Sequence, residues 1–569
     1  MSGKDRIQKR KAVSLKIKIG CLMSICIILI LAVLIYKRFA PVSQKMSAYD
    51  YFDISHDTDK VMVMVDDKKD NDIGISIDGS VYLPQDYVAD NINVRFYYDI
   101  ENKAVFYTDS EKTYIFTPDN TSVTDTDGNS YTTEVPIVKL IDGKAYLNFE
   151  YVAKYTNISY VYIKDPDRLV IDRLNERKCV TVKKDTQVRY RGGIKSKVLE
   201  NVSSGDLLTY ISTVDDWMQV RTQSGFTGYI KASKVDADIT DVIPQQTYSD
   251  DYKHNLKQNK INMAWFQTTS QAGNAQISNY LKDAKCLNTI SPTWYSISDS
   301  DGNMSNISSA DFVKSMHAGN IEVWPLINDF DKNVDYKQLY SSCSKRKKMI
   351  DIIINDAVRY GYDGINIDFE NVKPEFSKDF LQFIRELSIR CHENNILLST
   401  DNYKKESYNE YYNLKEQASF ADYIIIMGYD EHYSGSDAGS VASIKFVEEG
   451  IQDITSEIPS EQVINAIPFY TRIWTINGTE TTCKSAGMQD AADFIKSNGA
   501  SYSWDETTGQ NYCEFSKDGN TVKIWLEDDK SLEAKMKLYS KYKLAGVAEW
   551  KLGFETPSVW DIIDQNLKY

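Results

Sequence analysis

The longest uninterrupted apolar stretch of the chain lies close to its first residue. Residues 19–36, IGCLMSICIILILAVLIY, contain no charge, and about 20 such residues cross a bilayer as a helix. Basic residues precede the stretch, namely Lys9, Arg10, Lys11, Lys16 and Lys18. Because positive charge is retained on the cytoplasmic side, the pattern predicts a cytoplasmic basic N-terminus over residues 1–18, a transmembrane anchor over 19–36 and a body outside the cytoplasm.

A cleaved signal peptide is the alternative explanation of this stretch. The apolar part of a signal peptide is usually about 7–15 residues long and is followed by a small-residue cleavage site. The present stretch is longer, and the sequence YKRFAPVS at its end contains no A-x-A-like site. These features favour an uncleaved anchor in a single-pass membrane protein.

A second pattern fills residues 259–569. Eight short apolar runs of strand type begin near residues 261, 287, 321, 363, 396, 421, 463 and 544, and helical runs lie between them. Eight strands separated by helices predict a (β/α)8 TIM barrel, so the fold class is α/β. The longest interruption, about residues 475–540, predicts a small insertion subdomain before the last strand.

An internal repeat follows the anchor. The sequence IDGSVYLPQDYVADNINVRFYYD begins at Ile77, and IDGKAYLNFEYVAKYTNISYVYI begins at Ile141, an offset of 64 residues. Each copy predicts a turn, a strand, a short helix and another strand, which together form an α+β repeat domain over 47–176. This domain resembles the stalk-like N-terminal domain of copper amine oxidases, and the resemblance implies a spacer without a catalytic centre.

The next segment, residues 178–236, has short strand-type runs that are broken by Gly and Asp turns. Its features are Gly205, Trp217, the pairs at 188–189 and 220–221, and the sequence GFTGYI. They resemble the bacterial Src-homology-3-like domain, a small all-β barrel, and imply a module that binds wall peptides or acts as a spacer. Residues 237–258 are polar and predict a linker.

Charge and composition restrict the partners of the body. The first 38 residues carry a net charge of +8, so the remainder carries −23 within a total of −15. An acidic body argues against nucleic acid as a partner, since that binding relies on Lys and Arg at phosphates. Tyrosine is abundant, with 39 residues, and its flat ring with a polar tip suits wet, sugar-like surfaces.

The cysteines and histidines predict neither a metal site nor a cofactor. There are eight Cys and five His, and they form no CxxC motif or Cys/His cluster. Cys483 and Cys513 lie in one late segment and are candidates for a disulfide, although unpaired buried thiols are the alternative.

The stretch YDGINIDFENV at the fourth strand of the predicted barrel carries the candidate chemistry. As a strand it places Ile365 and Ile367 on one face and Asn366, Asp368 and Glu370 on the other. Active sites of such barrels lie at the C-terminal strand ends. Neighbouring carboxylates on one face of a strand are about 6.6 Å apart, and in a dry site one of them has a raised pKa. A proton-bearing acid beside a charged partner is suited to glycosidic cleavage.

These residues resemble a known family. DGINIDFE is similar to the DxxDxDxE signature of glycoside hydrolase family 18, the chitinases and related N-acetylglucosaminidases, with Asp363, Asp368 and Glu370 at its first, third and fourth acids. The resemblance implies that Glu370 protonates the leaving oxygen and that Asp368 holds the 2-acetamido group of the substrate. The acetamido carbonyl is then the nucleophile, and configuration is retained.

Three further elements resemble the same family. IMGYD matches its MxYD element, which implies that Tyr429 donates a hydrogen bond to the acetamido oxygen and that Met427 and Asp430 contact the sugar. AIPFYTRIW leads into Tyr470, and Trp550 ends the eighth strand where the family stacks the reacting sugar. Further candidates, for which core packing is an equal explanation, are Trp265, Trp294, Trp324, Asn328 and Asp401.

The chain departs from the signature at Asn366, where the family has an acid. The resemblance implies that Asn366 and Asp363, as members of the signature, are substrate-binding residues. An amide donates and accepts hydrogen bonds but does not ionise. We therefore expect Asp368 to lose a like-charged neighbour and to ionise more easily. The surrounding sequence is most similar to the spore-cortex and wall-lytic branch of the family, in which Asn is familiar here.

The sequence therefore favours an anchored glycosidase acting on β-1,4-linked N-acetylglucosamine in peptidoglycan. Two alternatives remain open, the same chemistry on chitin oligosaccharides and a non-catalytic glycan-binding barrel. The presence of Glu370 argues against the non-catalytic alternative, because binding members of the family usually lack that acid.

Overall fold

The computed structural model describes residues 3–56, 59–173, 176–236, 238–242, 248 and 252–567. The chain separates into two compact units. The first contains residues 1–93 and 139–249, and the second contains residues 94–138 and 250–569.

The first unit begins with one long helix, Gly3–Phe39. Its part Arg6–Phe39 is long and apolar enough to cross a membrane, and the side chains of that part are not buried within the protein. The helix contains the predicted span 19–36 and extends it in both directions through the basic flanks. The prediction of one apolar N-terminal helix is thereby confirmed.

A seven-stranded sheet follows, and it contains one strand from each copy of the repeat. Each copy of the repeat supplies a strand that leads into a short helix, Ser80–Pro84 with Gln85–Asn91 and Lys144–Asn148 with Phe149–Lys154. The two repeat strands pair antiparallel, with Leu83 opposite Leu147. The other strands are Lys60–Val65, Lys68–Ile77, Val138–Ile141, Ile158–Ile163 and Arg168–Arg173, and a helix Ala48–Phe52 precedes them.

The third part of the first unit is a small antiparallel β domain. Its strands are Arg177–Thr181, Thr186–Arg189, Val198–Val202, Leu207–Val214, Trp217–Arg221, Thr227–Lys231 and Thr240–Val242, with a 3-10 turn Ala232–Lys234. The segment that leaves the long helix joins this domain, because Val42 N–H donates to Ile194 O at 2.8 Å and Met46 N–H donates to Val198 O at 2.8 Å. The resemblance of this domain to an Src-homology-3-like module stays a prediction.

The second unit is built on a closed barrel of eight parallel strands, as predicted. The strands are β1 Ile261–Phe266, β2 Thr289–Ile297, β3 Leu326–Asn328, β4 Gly364–Asp368, β5 Leu397–Tyr403, β6 Tyr423–Met427, β7 Val463–Pro468 and β8 Gly546–Trp550. The barrel closes because β1 pairs in parallel with both β2 and β8. A two-residue strand, Glu322–Val323, precedes β3 and also pairs with β2, and Met304–Asn306 forms a hairpin with β2.

Helices cover the outside of the barrel. They are Gln271–Asn274, Ile277–Tyr280, Ala310–Ala318, Tyr336–Tyr340, Cys343–Tyr360, Ser377–Glu393, Leu414–Phe420, Ile444–Glu457, Asp529–Tyr542 and Val559–Leu567, with 3-10 turns at Pro374–Phe376, Glu410–Tyr412 and Ser460–Gln462. A large apolar core fills the layer between strands and helices. A smaller cluster that includes Met263, Leu326, Ile425 and Ala548 fills the barrel itself.

The predicted insertion subdomain lies between β7 and β8. It has five strands, Tyr470–Asn477, Glu480–Gly487, Ser503–Asp505, Gln510–Lys517 and Asn520–Leu526, and a helix Met488–Ser497. Cys483 and Cys513 lie on strands separated by two others, about 14 Å apart at the usual strand spacing. Both are free thiols, so the candidate disulfide is not formed.

The domain boundaries differ from the prediction in residues 94–138. These residues fall within the predicted stalk domain 47–176, yet they belong to the second unit. Their strands Phe96–Asp99, Ala104–Thr108, Thr113–Phe116, Ser122–Asp125 and Ser130–Thr132 form a separate five-stranded meander. The physical reason is burial, because Tyr97 and Phe106 form an apolar cluster against which Cys343 of the barrel helix packs.

The predicted linker 237–258 is only partly described. Residues 237, 243–247 and 249–251 lie outside the described residues. The last part of the segment packs on the barrel, where Tyr252 Oη donates to Phe420 O and Asn255 N–H donates to Asp422 Oδ1 at 2.7 Å. These residues are therefore part of the barrel unit.

Candidate active site

One cavity opens at the C-terminal ends of the barrel strands. Every barrel strand except β2 contributes to it, either directly or through the residues that follow the strand, as Phe330 does after β3. The residues that line it are Trp265, Phe330, Asp368, Glu370, Asp401, Tyr403, Met427, Tyr429, Asp430, Tyr470 and Trp550. The cavity therefore holds seven of the nine predicted site residues.

Alternation along β4 explains how the acids reach the cavity. Ile365, Ile367 and Phe369 are buried in the layer beneath the helices. The intervening residues Asn366 and Asp368 consequently point into the barrel. Glu370, just beyond the end of the strand, is half-buried at the mouth.

Asn366 lies beneath the cavity floor and is fully buried. Its Oδ1 accepts from Trp265 Nε1 at 2.9 Å and from Ser291 Oγ at 3.1 Å. Its Nδ2 donates to Ser399 Oγ at 3.0 Å and to Asp401 Oδ1 at 2.7 Å. All four hydrogen-bonding positions of the amide are used, so Asn366 holds the floor together and does not line the cavity.

Asp368 and Asp401 form the floor of the cavity. Both are buried, with exposed fractions of 6% and 5%. Burial raises the pKa of Asp368 well above its usual range, and the neighbouring Asp401 raises it further. Burial likewise raises the pKa of Asp401, although the hydrogen bond from Asn366 opposes this effect.

This result corrects the expectation that Asp368 ionises more easily because residue 366 is an amide. Asp368 does have a like-charged neighbour, but this neighbour is Asp401 on β5 and not a residue of β4. Two buried carboxyl groups that interact in this way do not ionise independently.

Glu370 occupies the mouth of the cavity, where Tyr403 Oη donates a hydrogen bond to its Oε2. Burial raises the pKa of Glu370, the bond from Tyr403 lowers it, and the charge of Asp430 raises it. The net effect is a raised pKa of Glu370, so this acid keeps its proton to higher pH than an exposed Glu does.

A second carboxylate fixes the main chain at Glu370. Asp329, fully buried after β3, accepts from Glu370 N–H at 2.8 Å and from Asn371 N–H at 3.0 Å. Burial raises the pKa of Asp329 to about 7, although these hydrogen bonds oppose the rise. Asp329 is therefore a positioning residue beneath the acid.

The insertion subdomain supplies one wall of the cavity. Asp430, after β6, accepts from Tyr470 Oη at 2.6 Å and from Arg472 Nη2 at 2.7 Å. Arg472 also donates from Nε to His432 O at 3.1 Å. The first strand of the insertion thus ties the loop after β6 in position.

Aromatic and apolar side chains complete the cavity. The rings of Trp265 and Trp550 lie 5.7 Å apart between centroids, and those of Tyr429 and Tyr470 meet edge to face at 6.2 Å. Burial raises the pKa of Tyr429 well above its usual range, so its hydroxyl remains a donor throughout the physiological range.

Two predicted binding residues lie outside the cavity. Asn366 is beneath it, and Asp363 is at the opposite end of β4, where Oδ2 accepts from Val323 N–H at 2.9 Å and bonds His317 Nε2 at 2.8 Å. Asp363 therefore fixes the base of the barrel. It lies apart from the cavity that holds the other predicted site residues.

The further candidates divide in the same way. Asp401 and Trp265 line the cavity. Trp294 and Trp324 are buried and donate to Asn274 and Glu322, and Asn328 donates to Tyr295 O at 3.1 Å.

Four residues of the site were not predicted from the sequence, namely Phe330, Tyr403, Asp329 and Arg472. For Tyr403 a signal was available, because it lies two residues after Asp401 on the same face of a predicted strand. Asp329 and Arg472 act through partners that are distant in the sequence, so no local pattern indicates them.

Comparison with known proteins agrees with this geometry. The family model described as "Glycosyl hydrolases family 18" matches residues 227–555. The protein named "Uncharacterized glycosylase YvbX" of Bacillus subtilis (strain 168) is 28% identical over 264 residues, which are 44% of this chain and 76% of that protein. The "Cortical fragment-lytic enzyme" of the same organism is 27% identical over 224 residues, or 38% of this chain, and the match spans 52% of that enzyme, about half its length.

A solved structure has the same barrel. The Bacillus cereus spore cortex-lytic enzyme SleL matches with a TM-score of 0.50 at 21% identity, over 57% of this chain and 78% of that chain. At this identity the likeness concerns the fold.

Proposed function

The chain belongs to glycosyl hydrolases family 18, whose model covers more than half of it, and we propose that it cleaves β-1,4-linked N-acetylglucosamine glycans, with peptidoglycan as its substrate. The observation that carries the proposal is the pair formed by Glu370 and Asp368. A half-buried acid with a raised pKa lies at the cavity mouth, and a buried acid lies on the floor two residues before it.

The proposed reaction begins with protonation of the leaving oxygen by Glu370. The oxygen of the 2-acetamido group attacks the anomeric carbon as the glycosidic C–O bond breaks, so that an oxazolinium ion forms and the leaving sugar departs with the proton. Water then attacks the anomeric carbon, the bond from that carbon to the acetamido oxygen breaks and restores the neutral acetamido group, and the water gives a proton to the Glu370 carboxylate. Configuration is retained, and no enzyme carboxylate bonds to the sugar.

The other residues have positioning roles in this scheme. Asp368 accepts from the acetamido N–H, Tyr429 donates to the acetamido oxygen, and the face of Trp550 stacks on the sugar. Asp430 accepts from a sugar hydroxyl, and Met427 contacts the acetamido methyl. Tyr470 and Arg472 hold Asp430 in place.

Two observations favour peptidoglycan over chitin oligosaccharides. One of the relatives is named "Cortical fragment-lytic enzyme", and the helix that could cross a membrane would hold the barrel near the cell wall. We propose a cytoplasmic N-terminus and an extracytoplasmic barrel, because basic residues precede the apolar part of the helix. In this arrangement the repeat domain and the small β domain act as spacers, or the latter binds wall peptides.

The test uses the full chain in detergent micelles with purified peptidoglycan and, separately, with chitin oligosaccharides. Products are reduced with borohydride and identified by mass spectrometry, which distinguishes a new N-acetylglucosamine end from a new N-acetylmuramic acid end. We expect N-acetylglucosamine ends from peptidoglycan. Glu370→Gln should lower the rate by at least about 100-fold, whereas Glu375→Gln, an exposed change close by in the sequence, should leave it unchanged.

Each other outcome assigns a different function. Cleavage of the oligosaccharides alone would identify a chitinase-type enzyme. Only N-acetylmuramic acid ends would identify a muramidase. Binding of either glycan without new reducing ends would identify a glycan-binding barrel and overturn the enzymatic proposal.

A further inference from the structure

The floor of the cavity contains two acids from neighbouring strands. In the register of β4 and β5, Asn366 lies opposite Ser399 and Ile367 opposite Thr400. Asp368 and Asp401 are the next residues on each strand and point into the barrel. Neighbouring strands are about 4.8 Å apart, so the two carboxyl groups lie side by side.

Each of these carboxyl groups has a buried oxygen with no hydrogen-bond partner among the described residues. The atoms are Asp368 Oδ1 and Asp401 Oδ2. The other oxygen of Asp401 accepts from the amide of Asn366. Burying a hydrogen-bond acceptor without a donor costs free energy. A proton held between the two oxygens gives each of them a hydrogen-bonding partner and so removes this desolvation cost for both.

No positive charge lies in the cavity lining to neutralise the pair. The groups that face the pair from the surrounding elements are acids and phenols, apart from one guanidinium. They are Asp329 after β3, Glu370 after β4, Tyr403 on β5, Tyr429 and Asp430 after β6, and Tyr470 and Arg472 of the insertion. Arg472 is paired with Asp430 at 2.7 Å, so its charge is already compensated.

We propose that Asp401 is the proton partner of Asp368, so that the two carboxyl groups share one proton in the free enzyme. Residue 366 of β4 is an amide where the family signature has an acid, and Asp401 of β5 supplies an acid in its place. This inference rests on the proposed function, since it assigns Asp368 to the acetamido group. When the acetamido N–H binds Asp368, the proton moves fully to Asp401 and Asp368 becomes the anion that stabilises the positive oxazolinium ion.

The side chain of Asn366 allows Asp368 and Asp401 to share a proton. Its oxygen faces the donors Trp265 and Ser291, and its nitrogen faces the acceptors Ser399 and Asp401. A carboxylate at this position would have no hydrogen to give Asp401 and would place a third negative charge next to the pair.

The test compares four variants of the full chain in micelles: Asp401→Asn, Asp368→Asn, the exchange variant Asn366→Asp/Asp401→Asn, and the control Asp437→Asn, which is exposed on the loop after β6. The first measurement is the pH profile of kcat/KM. Asp401→Asn removes the like charge beside Asp368, so we expect the acid limb to move to lower pH by about one unit or more. The exchange variant restores an acid neighbour and should move the limb back toward that of the unaltered protein, while Asp437→Asn should leave it unmoved.

The second measurement does not depend on activity. The infrared C=O stretch of protonated carboxyl groups is recorded near pH 7, as a difference between the unaltered protein and each variant. We expect Asp401→Asn to lose one buried protonated carboxyl, and Asp368→Asn to lose the same band. The exchange variant should retain it.

Specific results would overturn the inference. If Asp401→Asn lowers kcat at every pH while the limbs stay in place, its role is structural. A protonated band that persists unchanged in Asp401→Asn would show that the proton does not depend on the pair. Because the infrared result is obtained without substrate, failure of the proposed hydrolysis would leave this test intact.

Discussion

At the scale of single residues, the protonation of the two acids Glu370 and Asp329 is governed by the groups that contact each of them. Glu370 is held at the mouth, where a phenol donates to it and a neighbouring acid repels its negative charge. Asp329 is held beneath it by main-chain donors. Each of these contacts favours one protonation state over the other, so each has a measurable effect on pH dependence.

Tyr403→Phe tests the contact at the mouth. The hydroxyl of Tyr403 stabilises the ionised form of Glu370, so its removal should raise the pKa of Glu370. The acid then keeps its proton to higher pH, and the alkaline limb of kcat/KM should move upward by about one unit. The matched control is Tyr408→Phe, an exposed tyrosine on the following loop. A limb that moves downward would contradict the prediction.

Asp329→Asn tests the contact between Asp329 and the main chain at Glu370, and the quantity measured is the free energy of unfolding. Folded Asp329 keeps its proton up to about pH 7, whereas the unfolded chain releases it near pH 4. Its contribution to stability is therefore complete below about pH 4 and is lost as the pH rises to about 7. We expect the free energy of unfolding, from urea titrations between these values, to fall less steeply in the variant. Asp331→Asn, on the same loop, should keep the original slope.

At the scale of elements, the meander of residues 94–138 is joined to two barrel helices through a buried charge network. Arg346 of helix Cys343–Tyr360 is fully buried and contacts Asp99 of the meander at 3.1 Å and Glu386 of helix Ser377–Glu393 at 2.9 Å. Tyr97 Oη donates to Asp379 of the same helix at 2.5 Å. These elements belong to one packing unit, although they are distant in the sequence.

Asp99→Ala should destabilise the barrel unit by about 3–5 kcal/mol, because it leaves part of the Arg346 charge buried without its partner. Equilibrium denaturation followed by tryptophan fluorescence measures this loss. Glu101→Ala, an exposed change that removes a cap from the helix start at Ser342 and Ser344, should cost about 1 kcal/mol. Equal small losses for both variants would show that the network does not hold the meander.

Sequence patterns reveal elements more readily than the contacts between them. All eight barrel strands were predictable because each has a continuous apolar face. Asp368 and Glu370 were predictable because they lie two residues apart at the end of one strand, in a stretch that resembles a family signature. The pairing of Asp368 with Asp401 depends on the register of two strands, and the docking of the meander depends on a surface about 200 residues away, so neither is encoded in a local pattern.

At the scale of the whole molecule, the long helix and the acidic body predict a defined topology. Protoplasts expressing the chain with an epitope tag before Met1 would be treated with an external protease. We expect the body to be degraded while the tag remains protected, because the positive flank stays in the cytoplasm. A soluble, untagged body in the medium would identify a cleaved signal peptide, and a protected body would reverse the proposed orientation.

The chain passes between the two units three times, after residues 93, 138 and 249, and this has a consequence for synthesis. The meander leaves the ribosome roughly 200 residues before the helices that it contacts, a delay of about 10–40 s at ~5–20 residues per second. During that time the apolar face of Phe106 and Ile115 is without its partner. A shorter protein that begins at residue 259 would leave the complementary helix face, including fully buried Arg346, uncovered for its whole lifetime. Expression of the isolated barrel should therefore favour aggregation over secretion.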